Sequence, residues 1–161
     1  MNEQIIFEKA TIDDIDEIIN MYVERITWLK EREIKQWSRY LINHPREEFI
    51  RTIEDGRYYV LKKNDVIIAG FEISVDSQLW NDNITNAYYL YKIVVKVGYK
   101  DIGKEIFEIA KQIAKQNQKD YLRIDCLKFN KKLNEIYTKH GFKYVSEGKC
   151  SWHYILRECK V

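Results

Sequence analysis

Apolar residues recur along the chain with two periods, and the switches between them outline its elements. Residues 5–9 alternate well enough for a short strand. Thr11 and Asp14 then mark a helix start, the threonine oxygen accepting from an orphan amide and the aspartate suiting the positive helix end. Ile12, Ile15, Ile18, Ile19, Tyr22, Val23, Ile26 and Leu29 follow at spacings of three, four and seven, which predicts one apolar helix face reaching about Lys30. An irregular stretch holds Trp28, Trp37 and Tyr40. Pro45 suits the first turn of a second helix, with Glu47 and Glu48 behind it and Gly56 as its C-cap.

From Arg57 onward the period changes to that of strands. Residues 58–62 and 66–74 flank an Asn64-Asp65 turn and predict a hairpin. A polar loop over 76–86 leads to an apolar strand at 88–96. After Gly98-Tyr99-Lys100-Asp101-Ile102-Gly103 comes a strong helix, with Ile102, Ile106, Ile109, Ala110 and Ile113 as its buried stripe. A strand over 121–127, a helix over 131–140 closed by Gly141, and strands over 142–146 and 152–157 complete the series. This order predicts an α/β (α+β) fold: one mixed sheet of six to seven strands with helices on its faces, as a single domain over 1–161.

Composition narrows the setting. A chain of 161 residues buries roughly 68–70% of its unfolded surface and needs no metal or disulfide staple. Gly 6 and Pro 1 exclude collagen-like and linker-rich designs. Lys and Arg number 27 against 25 Asp and Glu, too balanced for a nucleic-acid footprint. Cys126, Cys150 and Cys159 form no C-x-x-C pair, which fits a reduced intracellular setting. The start MNEQIIFEKA lacks the features of a signal peptide, and no apolar run approaches the ~20 residues that span a bilayer. A cytoplasmic protein without nucleic-acid or membrane partners is expected.

Two segments carry candidate chemistry. In the first, a strand runs through a glycine-bearing loop into a helix whose free N–H groups and partial positive charge suit a phosphate anion. Gly98 and Gly103 bracket that loop, and Lys100 and Lys104 add positive charge. Neither the G-x-x-x-x-G-K-[ST] nor the G-x-G-x-x-G spacing is present, and tight strand-to-helix connections also want glycines for packing alone. The second segment is Asn130-x6-Tyr137-x3-Gly141-Phe142. Asn130 reads as an N-cap and Gly141 as the left-handed residue ending the helix. Tyr137 lies about two turns after Asn130, so both can face one side, although a helix tyrosine serves equally as core.

Together these segments resemble the GNAT superfamily of acyl-CoA-dependent N-acyltransferases, over nearly the whole chain. LRIDCLKFNKKLNEIYTKHGF looks like that family's strand, asparagine, helix tyrosine and closing Gly-Phe, and WLKEREIKQW is similar to the N-terminal segment of uncharacterised bacterial members. The resemblance implies a mainly antiparallel sheet with helices on both faces and its fourth and fifth strands splayed apart. It implies acetyl-CoA as cosubstrate, with no metal. The pantetheine would pair with the backbone of Ile93, Val94 and Val95. The pyrophosphate would sit on Gly98, Tyr99, Lys100, Asp101, Ile102, Gly103 and Lys104, with Asn130 and Tyr137 completing the cofactor site. The family loop is usually [QR]-x-x-G-x-[GA], so Asp101 occupies a glycine position. A carboxylate about 4 Å from a phosphate charge is repelled by ~1 kcal/mol in water and ~4 near a protein surface. Aspartate is nevertheless among the few residues that tolerate positive φ, and its side chain can point outward. Cofactor binding is expected to survive.

Acetyl transfer to an amine needs a proton acceptor for the amine, a donor for the tetrahedral oxyanion and a proton for the departing thiolate. Tyr137 matches the family's helix tyrosine and is the candidate acid, a phenol near pKa 10 facing a thiolate near 8.5, a gap that a site could narrow. A backbone N–H around Val94 or Val95 is the oxyanion donor. Glu72 and Tyr91 are the candidate bases, with Asp125 behind them, while His140, His153 and Cys126 read as structural. The acceptor is an unidentified small-molecule or peptide amine, and Trp28, Trp37 and Trp80 are candidates to line its site. An acyl-CoA-binding regulatory module with weak or no transfer is the alternative function. Monomer and homodimer both fit.

Overall fold

Asn64 and Asp65 both take left-handed backbone, at φ 52° and 63°, and close the hairpin that the sequence pattern predicts. The computed structural model describes residues 4–34, 41, 44–82 and 84–161; Trp37 and Tyr40 lie outside them. Seven strands form one mixed sheet in the order β1-β2-β3-β4-β5-β7-β6. They are β1 (Ile5–Lys9), β2 (Tyr58–Lys63), β3 (Val66–Ser74), β4 (Ala87–Val95), β5 (Tyr121–Leu127), β6 (Lys143–Lys149) and β7 (His153–Lys160). The described helices are α1 (Ile15–Glu31), α2 (Arg46–Glu54), α3 (Ile102–Gln116) and α4 (Lys131–Lys139), with a 3-10 turn at Ile12–Asp14. None is long and apolar enough to cross a membrane.

The ladders β1–β2, β2–β3, β5–β7 and β6–β7 are antiparallel. The β4–β5 ladder is parallel and holds three residue pairs, Ala87↔Tyr121 to Tyr89↔Arg123. β4 continues to Val95, past the last residue that this ladder holds. The chain divides into two compact units, Met1–Glu72 with Lys92–Gly103 and Ile73–Tyr91 with Lys104–Val161, so both β3 and β4 are shared.

In the first unit Ile15, Ile18, Met21 and Tyr22 of α1 pack with Phe49, Ile53, Tyr58, Val60, Ile67 and Val94. Met21 takes the place expected of Val23, which stays exposed with Ile12, because Val23 lies beyond the edge of the stripe running through Ile15, Ile18, Tyr22 and Leu29. At the start of this region Thr11 and Asp14 form a reciprocal capping box, the Thr11 side chain facing the Asp14 N–H and the Asp14 carboxylate accepting from the Thr11 N–H at 2.8 Å. Gly70 is a packing requirement, since a Cβ there would run into the Tyr58 ring.

In the second unit α3 buries Ile106, Phe107, Ala110, Ile113 and Ala114, with Phe107 rather than the half-buried Ile109 in the stripe. Asn130 caps α4 as its spacing predicts, its Oδ1 accepting from the Leu133 N–H at 3.1 Å. Gly141 leaves α4 at φ 90°. β6 runs further than expected because its pairing continues to Lys149↔His153, and β7 because its pairing with β5 continues to Tyr121↔Lys160.

Candidate functional site

The first unit's part of the site is a kink in β4. Lys92 sits at φ 53°, a left-handed conformation that costs a non-glycine residue on the order of 1–3 kcal/mol and persists only where its surroundings over-determine it. Those surroundings are present. The Tyr22 hydroxyl donates to the Lys92 carbonyl, and the Tyr22 and Tyr58 hydroxyls lie 2.9 Å apart. With the Tyr22 proton committed to the carbonyl, Tyr58 is the donor to Tyr22. Burial, with Tyr22 alongside, pushes the Tyr58 hydroxyl well above the usual phenol range and keeps that proton in place.

The Lys92 ammonium reaches Glu72 Oε2 at 3.0 Å, Thr52 Oγ1 at 3.4 Å and Glu48 Oε1 at 3.5 Å. Arg57 Nη1 donates to the other Glu72 oxygen. Both oxygens of this buried carboxylate are therefore taken by cations, an arrangement that fixes its orientation. Three residues along, Arg25 donates to the Val95 carbonyl through Nε at 3.1 Å and Nη2 at 2.9 Å.

The loop that follows turns at Gly98, φ 96°, and at Asp101, φ 63°, immediately before α3. Aspartate thus adopts the left-handed backbone that its glycine position requires. Its side chain is exposed, with no hydrogen bond or ion pair among the described residues. Gly103 does not bracket the turn as expected; it lies inside the first turn of α3, and its φ is not positive. Lys100 and Lys104 are exposed beside it.

In the second unit Tyr137 packs against Phe107 and Phe142, ring centroids 5.6 and 5.9 Å away, and is 6% exposed. Burial first, and then Cys126 and Asp125 nearby, raise its hydroxyl above the usual phenol value. The surroundings therefore widen, rather than narrow, the gap between phenol and thiolate. Burial also pushes the Cys126 thiol up to about 11, against the pull of Arg157, and its Sγ donates to Asn134 Oδ1 at 3.1 Å. Arg157 Nε meets the same Asn134 oxygen at 3.1 Å and ties α4 to β7. Asp125 is half-buried on β5 and has no cation partner among the described residues. Burial alone raises its carboxyl to about 6.

The Tyr91 hydroxyl donates to the Asp76 carbonyl at 3.5 Å, and its ring stacks on Tyr89. Trp80 is buried beneath Arg123, whose guanidinium lies 4.1 Å over the ring and pairs with Asp82 and Glu158. Trp28 carries Arg25 and Arg32 over its ring at 4.8 and 3.8 Å. Of the three tryptophans that the sequence offers for an acceptor, the two described ones, Trp28 and Trp80, thus have arginine against their rings. Sequence reasoning missed the cluster of Lys92, Tyr22, Tyr58 and Arg57. Its one visible signal is a lysine inside the apolar run of β4, YYLYKIVV.

Comparison with known proteins agrees with this architecture. The profile of the acetyltransferase (GNAT) family matches residues 20–142. The uncharacterized N-acetyltransferase YesJ of Bacillus subtilis (strain 168) is 23% identical over 157 residues, covering 92% of this chain and 87% of that protein. A GNAT-family acetyltransferase from Listeria monocytogenes superposes with TM-score 0.83 at 23% identity, over 98% of this chain and 95% of the other. PaiA N-acetyltransferase from Thermoplasma acidophilum, solved in complex with coenzyme A, gives 0.75 at 20% identity over 98% and 99%. The chain belongs to the GNAT family of acetyltransferases.

Proposed function

We propose that the protein is an N-acetyltransferase, a single domain over 1–161, that moves an acetyl group from acetyl-CoA to a primary amine of a small molecule or peptide by direct attack in a ternary complex. The observation that carries this reading is the left-handed backbone at Gly98 and Asp101 directly before α3. A loop of this form presents helix-start amides to an anion, here the pyrophosphate of coenzyme A on residues 98–104. The coenzyme A bound to the PaiA relative supports the same cosubstrate. Pantetheine pairs with the backbone of Ile93 to Val95, and Asn130 flanks the cofactor.

In this reading the amine nitrogen attacks the thioester carbonyl and loses its proton to a base. The oxyanion receives an N–H of Val94 or Val95, the C–S bond breaks, and Tyr137 gives its proton to the sulfur, recovering it afterwards from solvent. Asp125 replaces Glu72 and Tyr91 as the base. Unlike Glu72, it has no cation partner among the described residues, and a value near 6 suits a base working close to neutral pH. The high Cys126 thiol value speaks for direct attack rather than an acetyl-cysteine intermediate.

Tyr137→Phe is the test. Turnover on a true acceptor falls by roughly 10²–10⁴ while acetyl-CoA affinity in calorimetry barely moves; unchanged turnover removes Tyr137 from the role. One observation favours a second reading, an acyl-CoA-binding module with little transfer: the exposed Asp101 carboxylate in the phosphate loop. Binding of acetyl-CoA without amine-stimulated thiol release over a broad amine panel would select that reading.

A further inference from the structure

We infer that the buried Glu72–Lys92 pair, braced by Tyr22, is a positioning device that sets the peptide groups of residues 93–95, and that Glu72 is not the proton acceptor. The inference rests on the acetyl-transfer reading for its catalytic consequence, but its structural half stands on the first unit alone.

Four observations converge on it. Lys92 breaks the strand geometry at φ 53°, and its ammonium is turned into the unit, where its side chain is 7% exposed. There it meets Glu72 Oε2 at 3.0 Å, with Thr52 and Glu48 as further oxygens and the Phe49 ring 5.3 Å away. Glu72 is fixed in turn by Arg57 on its second oxygen, so the anchor has no slack. The ends of the segment are gripped separately: Tyr22 and Arg25, three residues apart on one face of α1, hold the carbonyls of Lys92 and Val95. A segment pinned by its first carbonyl, its last carbonyl and its first side chain has one orientation. Val94, between the pins, is locked into the core.

An oxyanion donor acts through its direction, and a displacement of about 1 Å from the working geometry costs on the order of 10²-fold. Removing both charges together, in Lys92→Met/Glu72→Gln, avoids leaving an unpaired ion within the pair and keeps the chain folded. The expected result is a thermal midpoint close to wild type, turnover with acetyl-CoA and an amine down about 10²-fold, and acetyl-CoA KM changed less than threefold. Hydrogen exchange of the backbone amides of residues 92–96 becomes about tenfold faster, with protection elsewhere in the unit retained. A merely structural pair would shift the midpoint and leave the kcat-against-KM split alone.

Tyr22→Phe removes only the hydroxyl on the Lys92 carbonyl and shows the same split at smaller size, about tenfold. The inference is overturned if the folded double variant keeps wild-type turnover, or if exchange over 92–96 is unchanged. It is also overturned if Glu72→Gln abolishes the acid limb of the pH–rate profile while Lys92→Met retains it, which would make Glu72 the base. Should the wild type itself bind no acetyl-CoA, the acetyl-transfer reading falls, and the exchange result alone decides: faster supports the anchor, unchanged refutes it.

Discussion

Two buried polar clusters distinguish the halves of this chain, and they differ in whether their charges are matched. Around Lys92 every ionised group has a partner: Glu72 is held by two cations, and Lys92 by Glu72 and Glu48. Around Tyr137 the carboxylate of Asp125 has none among the described residues, and its value moves to about 6. A matched cluster holds geometry. An unmatched carboxylate is costly to bury and for that reason ready to take a proton. On the proposed acetyl-transfer reading, the contrast gives shape to one cluster and proton transfer to the other.

The largest effect that can break the comparison is at Asp125. Asp125→Asn lowers kcat/KM by about 10²–10⁴-fold and removes the acid limb of the pH–rate profile, which in the wild type rises as pH passes upward through about 6. Stability moves the opposite way. The folded protein holds the Asp125 proton more tightly than an unfolded chain, whose value is near 4, so the stabilisation present below pH 4 is lost as pH rises through 6. That loss is about 3 kcal/mol, and the asparagine variant escapes it. At pH 8 its urea midpoint therefore lies above wild type while its turnover lies far below. A variant that loses stability along with activity would show that Asp125 has a hidden partner.

Next in size is Glu72. Glu72→Gln leaves Lys92 and Arg57 facing a neutral amide in a buried site, and destabilises by about 3–5 kcal/mol in urea unfolding. Most of this returns when Lys92→Met is added, a non-additivity expected of residues acting as one unit. Additive losses would mean that the two residues stabilise the fold independently.

Much of this architecture is legible in the sequence, because local chemistry and tertiary structure agree there. The Asn64-Asp65 turn, the Asn130 cap and the Gly141 terminus each follow from what those side chains do to their own backbone. The order of elements and the resemblance carry the sheet. The clusters are different. Glu72 reads as a free strand carboxylate until Arg57, fifteen residues away, and Lys92, on another strand, close on it. Asp125 reads as the weaker candidate because what matters is a missing cation, and no spacing shows an absence. Val23 and Ile109 mark a smaller limit: periodicity finds a helix face but not its edge.

Gly70 tests how closely the matched cluster is fitted. The Tyr58 hydroxyl reaches Tyr22 only because residue 70 has no side chain. Gly70→Ala forces the Tyr58 ring aside and destabilises by about 1–3 kcal/mol, measured by thermal unfolding. Adding Tyr58→Phe removes the crowding hydroxyl and recovers part of the loss. No recovery would show that the ring, not the hydroxyl, needs the space.

The smallest effect separates conformation from charge at another left-handed residue of this unit, Asp101. Lys92 is held in that conformation by buried partners, whereas Asp101 stands exposed and has none among the described residues, so only its own backbone tolerance and the loop support it. Removing its charge should relieve about 1 kcal/mol of repulsion toward a bound pyrophosphate, which is roughly fivefold in affinity. Asp101→Asn and Asp101→Gly therefore tighten acetyl-CoA binding by a similar factor, since both residues accept positive φ. The gain shrinks in high salt, as befits an exposed charge. If glycine tightens binding and asparagine does not, the cost lies in the backbone rather than the carboxylate. If neither does, the carboxylate points away from the cofactor and Asp101 no longer argues for a binding module over an enzyme.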